Sequence, residues 1–325
     1  MITPTAQTNK FPSTFKKIFK SDKLGLLIAL IIIFIVFSIL TGNKYLTAAN
    51  ITNILISSSI VGLVVIGECF LLIVGHVDLS PGSVAAFSGV LVSILLNKGL
   101  PLFLAILLVL LLGLAIGFMN ATLVNKLKLE PFIATLAAMS IFRGLAYIIC
   151  NGKSVFVTNS VFLKIGTGRL SGIPIPVIIC IIFFIVAIIV LGRTRFGRRV
   201  YMVGGNANSA RLAGINAQRI RLRLYMAAST LAALGGILQA GRMSSGQPTA
   251  LDGLEFDAVT AVVLGGVAMT GGVGTLGGAA IGLIIMQSFN NGLMMMNVPS
   301  FWQTVSRGLL LIVALSFDYF RNHRR

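Results

Sequence analysis

Acidic residues are scarce in this chain. Of its 325 residues only eight are Asp or Glu, and charged residues of both signs make up 10%. Ordinary globular chains carry about 25%, so a conventional water-facing surface cannot be built and a soluble domain is excluded. Eight carboxylates and two histidines leave no catalytic constellation and no convergent metal ligands. An integral-membrane enzyme is therefore disfavoured, and no metal or cofactor is expected. The three cysteines, Cys69, Cys150 and Cys180, stand in apolar stretches without CxxC spacing or a His partner. They offer neither a disulfide framework nor a zinc site, and read as small buried residues. No G-x-x-x-x-G-K followed by Ser or Thr occurs, so the chain has no P-loop of its own. Its energy must come from another subunit or from a gradient.

Apolar sequence is abundant: 56% of residues are hydrophobic and the mean hydropathy is +0.97. Disorder, which needs low hydrophobicity, is excluded. Windows of about 20 apolar residues place ten segments, at 24–40, 53–75, 83–96, 102–124, 131–150, 174–192, 224–241, 254–270, 275–293 and 301–320. The third is short, and its helix is expected to begin nearer Ser80. The fold class is thus an all-α polytopic membrane protein, with a single transmembrane domain over 24–320 between tails at 1–23 and 321–325. Lysines crowd the first tail as in a signal peptide, but no small-residue cleavage site follows, so the first span reads as uncleaved. Alternating sides from an internal N-terminus puts 18 Lys and Arg on the inside and 6 outside. That bias follows the positive-inside rule and predicts that both termini are cytoplasmic. The net charge of +18 therefore sets topology, and a nucleic-acid partner is not expected.

The largest soluble stretch is the basic loop 193–223. Within it Asn206 or Asn208 is a good N-cap, Ala210, Arg211, Leu212 and Ala213 favour helix, and Gly214 falls where a left-handed C-terminal residue belongs, before Ile215. A helix of about two turns is marginal alone in water. On pattern alone it is either a solvated connector or a contact helix for a cytoplasmic partner.

The run Thr194-Arg-Phe-Gly197-Arg, Gly204-Gly205-Asn206 and Ala210-Arg-Leu-Ala-Gly214-Ile-Asn resembles the ribose and arabinose permease family of bacterial ABC importers. Further blocks agree in order and spacing: Val77-Asp-Leu-Ser80-Pro-Gly-Ser83, Pro131-Phe-Ile-Ala-Thr135-Leu with Arg143-Gly144, Ser245-Gly-Gln-Pro-Thr249, Gly253-Leu-Glu-Phe-Asp257-Ala and Gly271-Gly-Val-Gly274. The likeness covers about residues 50–318. It implies a membrane-spanning subunit importing a monosaccharide across the bacterial inner membrane. It also implies a separate ATP-binding subunit, an extracytoplasmic sugar-binding protein and a second permease chain, identical or closely similar. Residues 206–215 would then be the coupling helix seated in a groove of the ATPase. Pro81, Glu68 and His76 depart from the family pattern. Pro81 is mild, since proline suits a first helical position, whereas the other two bear on substrate identity.

Gly272-Val-Gly274-Thr-Leu-Gly277 matches a dinucleotide-binding pattern, but its flanks are membrane spans and position 297 is Asn rather than an acid. Its glycines read as close packing. Arg143 and Arg307 lie within spans, where a lone charge costs roughly 2.5–3.5 kcal/mol. Each is expected to pair with an acid, Glu68 being the candidate partner for Arg143, or to line a sugar path. Asp78, Ser80 and Ser83 open a helix, as an N-terminal cap or as a gate in a broken span. Asp252, Glu255 and Asp257 cluster at a helix start near the outside, where Glu255 and Asp257 are candidates for docking the binding protein. Gln287, Asn290, Asn291 and Trp302 place amides and one aromatic near the outer end of the last two spans, as a sugar path or as interhelical contacts. The alternative function is a gradient-driven transporter or channel, for which Glu68 is the one clear intramembrane acid.

Overall fold

The structure, a computed structural model, describes residues 22–322. The tails at 1–23 and 321–325 lie, but for their inner edges, outside the described residues. Thirteen α-helices are present among them: α1 (Asp22–Leu40), α2 (Ala48–Ile73), α3 (Pro81–Asn97), α4 (Leu102–Asn125), α5 (Pro131–Ile149), α6 (Ser160–Thr167), α7 (Ile175–Arg193), α8 (Arg195–Gly205), α9 (Ala207–Leu212), α10 (Ala217–Met243), α11 (Leu254–Leu264), α12 (Leu276–Met295) and α13 (Ser300–Asn322). Five of them, α2, α4, α5, α7 and α10, are long and apolar enough to cross a membrane, and 24–40 and Pro81–Asn97 are shorter apolar helices. The chain is a helical, polytopic membrane protein.

Two long helices form the centre. With 26 and 27 residues, α2 and α10 each run about 40 Å. They lie antiparallel, Gly67 facing Ala228 and Gly235 facing Ile60. Helix α10 is built largely from Ala, Gly and Ser along its second half, and small residues let helix backbones approach closely where apolar lipid gives no hydrophobic drive. At Gly236 an added Cβ would collide with the carbonyl of Ala85 in α3, and at Gly117 in α4 one would collide with the carbonyl of Tyr225 in α10.

The surrounding helices repeat one arrangement. Helix α10 packs on α3 and α4, and α2 packs on α11 and α12; α3 packs on α5 as α11 packs on α13. The connections preceding α5 and α13 match in detail. Lys128 and Asn297, each three residues before the helix, take positive φ of 56° and 55°. Thr135 and Thr304 each donate to the carbonyl of the first helical residue, at 2.9 and 3.2 Å. With α2 and α10 antiparallel, this is an inverted-topology repeat, an architecture common in transporters.

Two crossings are broken. Residues 74–80 run without helix from the end of α2 to Pro81. His76 meets Tyr225, eight residues into α10, whereas Ala85 meets Gly236, seven residues before its end, so α3 begins about halfway along α10. Its start at Pro81 agrees with the expected start near Ser80. Residues 244–253 make the inverted counterpart: Ser245–Gly246 pairs with Val155–Phe156 in a short antiparallel ladder, and α11 follows. The two half-helices meet where Gly82 abuts Glu255 and the carbonyl of Leu251.

Three boundaries correct the sequence reading. The span expected at 254–270 stops being helical at Leu264, because Gly266, Gly271, Gly272 and Gly274 take positive φ. The stretch 151–173, read as a connection, folds α6 and a β-hairpin that pairs Arg169 with Pro174. About a third of the basic loop is the amphipathic helix α8, which turns Gly197, Val200 and Val203 inward and its arginines out.

The Gly236 contact is open to test. Gly236→Val should force α3 away from α10 at a cost of about 1–3 kcal/mol or more, read as a lower melting temperature in detergent. Unchanged melting would contradict the close approach.

Candidate coupling surface and polar cavity

Helix α9 is local chemistry fulfilled. Asn206 caps it, its Oδ1 accepting from Ser209 N at 2.9 Å, while Gly214 takes φ +77° and Ile215 N closes back on Ala210 O at 2.9 Å. Asn216 then caps α10 through Arg219 N at 3.0 Å. Of the residues expected to contact a partner, Asn206, Arg211, Leu212, Ala213 and Gly214 are exposed and Ile215 is half-buried. Ala210 is a correction: it is 1% exposed and packs into the chain's own core, which is what anchors so short a helix. Leu212 is the opposite case, 86% exposed at the tip of α9. Behind this tip, α8 ends against the core. A Cβ on Gly204 would strike the carbonyl of Ile73, the last residue of α2, and that carbonyl accepts from Gly272 N at 2.8 Å.

The break at 74–80 is held by a buried polar network. Asp78 N donates to Glu68 Oε1 at 3.2 Å, and Asp78 Oδ1 accepts from Ser80 N and Oγ at 2.8 and 2.6 Å. Asn120 Nδ2 reaches Ser80 Oγ at 3.1 Å, and Leu79 N donates to Thr135 Oγ1 at 3.1 Å. Every backbone group left out of a helix here needs such a partner, because lipid supplies none. Asp78, Ser80 and Ser83 are completely buried and line no cavity described below. Nor does Glu68 pair with Arg143, as expected from sequence. Arg143 instead donates to the carbonyls of Pro248 and Ala250 at 2.8 and 2.9 Å and lies 3.7 Å from Asp252. It clasps the second break, because that segment dips toward α5 and presents unpaired carbonyls to it.

A cavity of about 720 Å³ opens between α2, α10, α11, α12 and α13 at the end opposite α9, within the ~300–1,000 Å³ of small-molecule sites. Asn290, Asn291 and Arg307 line it, as does Gln287. Arg307 Nε lies 3.6 Å from Asp257 Oδ1, and Asn290 Nδ2 donates to Asp257 Oδ2 at 3.2 Å. Trp302 is a correction: it is 58% exposed and off the cavity, because Gln303 and Arg307, four apart on α13, turn one face inward and leave their neighbour outside. Glu255 and Asp257, expected to dock a partner, are also corrected. They are 3% and 6% exposed, since α11 starts beneath the surface. Asp252 is the exposed acid of the three. Sequence reasoning missed Asn50, Asn53, Gln239 and Arg242, which also line the cavity. Polar residues three apart at one end of otherwise apolar helices are the signal that could have found them. In the turn before α2, Tyr45 donates to Ser288 O at 2.6 Å, and burial, opposed by that bond, pushes its hydroxyl up to about 12. A second cavity, about 530 Å³ among Phe70, Leu114, Phe183 and Phe196, is mostly apolar, with Arg223 and Thr230 also in its lining.

Residues 50–315 match the family described as branched-chain amino acid transport system / permease component. The chain belongs to this permease family. The permease is 39% identical to the ribose import permease protein of Bacillus subtilis (strain 168) over 299 residues, covering 91% of this chain and 92% of that one. It is 36% identical over 304 residues to the L-arabinose ABC transporter permease protein of Azospirillum brasilense, covering 94% and 89%. Over 318 residues it is 36% identical to the ribose import permease protein of Escherichia coli (strain K12), covering 97% and 98%. No solved structure matches.

The Asp257–Arg307 pair yields a prediction. Arg307→Met strands a buried carboxylate and should lower stability by about 1–3 kcal/mol, whereas adding Asp257→Asn should restore part of the loss. Melting temperatures of the single and double variants in detergent decide it; a double variant no better than the single would show that the pair is not coupled.

Proposed function

We propose that the permease is the membrane-spanning subunit of a binding-protein-dependent ABC importer that brings a monosaccharide, a ribose-like pentose or a related sugar, into the cell across the bacterial inner membrane. In this reading an extracytoplasmic binding protein delivers the sugar, two permease chains enclose the path, and a separate ATP-binding subunit supplies the energy. Sugar import by relatives alike over nearly their whole length supports the substrate class.

One observation carries the partner assignment: Leu212, 86% exposed, on a capped helix ringed by exposed arginines. A large apolar side chain held out by a rigid helix is what a groove in another protein takes up, and such anchors carry much of an interface's energy. Closure of the ATPase would push α9. Because Asn206 joins α9 directly to α8 and Gly204 sits on the Ile73 carbonyl, the push would arrive at the end of α2 and at the 271–274 loop. From there the two broken crossings are the segments free to rearrange, since neither is locked by a continuous helical ladder. Opening would pass from one end of the bundle to the other by alternating access.

Leu212→Asp should reduce recovery of the ATP-binding subunit with the tagged permease by at least about tenfold while leaving the permease's own melting unchanged. Undiminished recovery would sink the coupling role. Gradient-driven transport is tested separately. Glu68→Gln keeps an acceptor for Asp78 N but no titratable proton, so ATP-driven uptake should persist in this variant and should survive collapse of the proton gradient. Uptake lost in both conditions would favour a proton-coupled carrier.

A further inference from the structure

The cavity between α2, α10, α11, α12 and α13 has a wall chemistry that specifies its occupant more closely than its position does. Its charged lining residues are Arg242, Arg307, Asp252 and Asp257, two of each sign, so their formal charges cancel. Three of the four are engaged in ion pairs, Asp257 with Arg307 and Asp252 with Arg143, while Arg242 donates to Ser57 Oγ at 3.1 Å. Arg242 is the one charged side chain of the wall with no acid partner among the described residues, and its bond to the Ser57 hydroxyl holds it against α2.

The remaining polar wall is made of amides. Asn53 and Gln239 face the space from α2 and α10 with no hydrogen bond to their side chains among the described residues. Gln287 Nε2 and Asn290 Oδ1, three residues apart on α12, are buried and unpartnered, one a donor and the other an acceptor. Unsatisfied buried groups of this kind cost free energy and call for an explanation. Both residues line the cavity. Ile60, Val61 and Leu254 add apolar surface to the same lining.

We propose that this cavity is a binding site, contained within one permease chain, for a single neutral polyhydroxylated molecule of the monosaccharide class. Hydroxyl groups both donate and accept, which matches interleaved amide donors and acceptors better than a purely apolar molecule does. The apolar surface takes the C–H face of a sugar ring. The choice of monosaccharide as ligand rests on the importer reading above; the site itself rests on the wall.

The experiment uses the full permease in lipid nanodiscs without binding protein, with saturation-transfer NMR to detect weak ligands. D-ribose and L-arabinose are the probes, gluconate and cyclohexanol the ionic and apolar controls. Saturable transfer is expected to the pentoses and not to the controls, weakened about fivefold by Gln239→Leu and by Asn53→Leu. Uptake by the complete importer is measured on the same proteins. No saturable transfer to either pentose from a permease that still supports uptake overturns the site and leaves the importer reading standing. Saturable pentose binding without any ATP-driven uptake upholds the site and overturns the importer reading. Binding that both leucine variants leave undiminished, or that gluconate or cyclohexanol matches, overturns the site.

Discussion

Hydrocarbon offers a backbone amide nothing to bond with, and the whole architecture answers to that. Two crossings are interrupted, at 74–80 and 244–253, and each exposes peptide groups that the bundle itself must satisfy. Asp78, Glu68, Thr135 and Asn120 serve the first break; Arg143, reaching from α5 to two carbonyls, serves the second. Those side chains are charged or polar for this reason and are placed deep inside for the same reason. The central pair α2 and α10 must in turn be smooth enough for the broken segments to lie flush against them, which the small-residue surface of α10 allows.

Much of this was legible in the residues. The caps and Gly214 give α9 to within a residue, because capping is local chemistry that needs no knowledge of the rest of the fold. The hydropathy windows found the long helices because lipid imposes a length. What sequence could not supply was the partner of each buried charge. Glu68 is the candidate partner that sequence offers Arg143, yet the structure gives it Asp252 and two carbonyls. Glu255 and Asp257 look like surface acids from their place at a helix start, and only the depth of the preceding segment shows that they are inside. The cavity was half visible: α12 showed its amides, while Asn53 and Gln239 were hidden in stretches read simply as apolar spans.

The inverted repeat was overlooked, and its traces explain why. The first turns of α5 and α13 share Phe132 with Phe301 and Thr135 with Thr304, and each preceding connection has one left-handed residue. That is little identity, but the shared features are those that set geometry. Halves that diverge in composition can keep one fold because the turn and the Thr-to-carbonyl bond persist. Divergence has also divided labour: amides and paired charges gather around the second half, α11 to α13, whereas the first half keeps a sealed serine- and acid-rich core.

The seat of Gly204 on the Ile73 carbonyl, with Gly272 donating to the same atom, joins three parts of the chain far apart in sequence. None can drift on its own. A chimera that grafts 194–216 from a relative to change which ATPase is recruited would have to bring the 271–274 turn with it. Over evolutionary time these stretches are thus expected to change together, so that exchange of motor partners proceeds by matched sets of residues rather than by single substitutions.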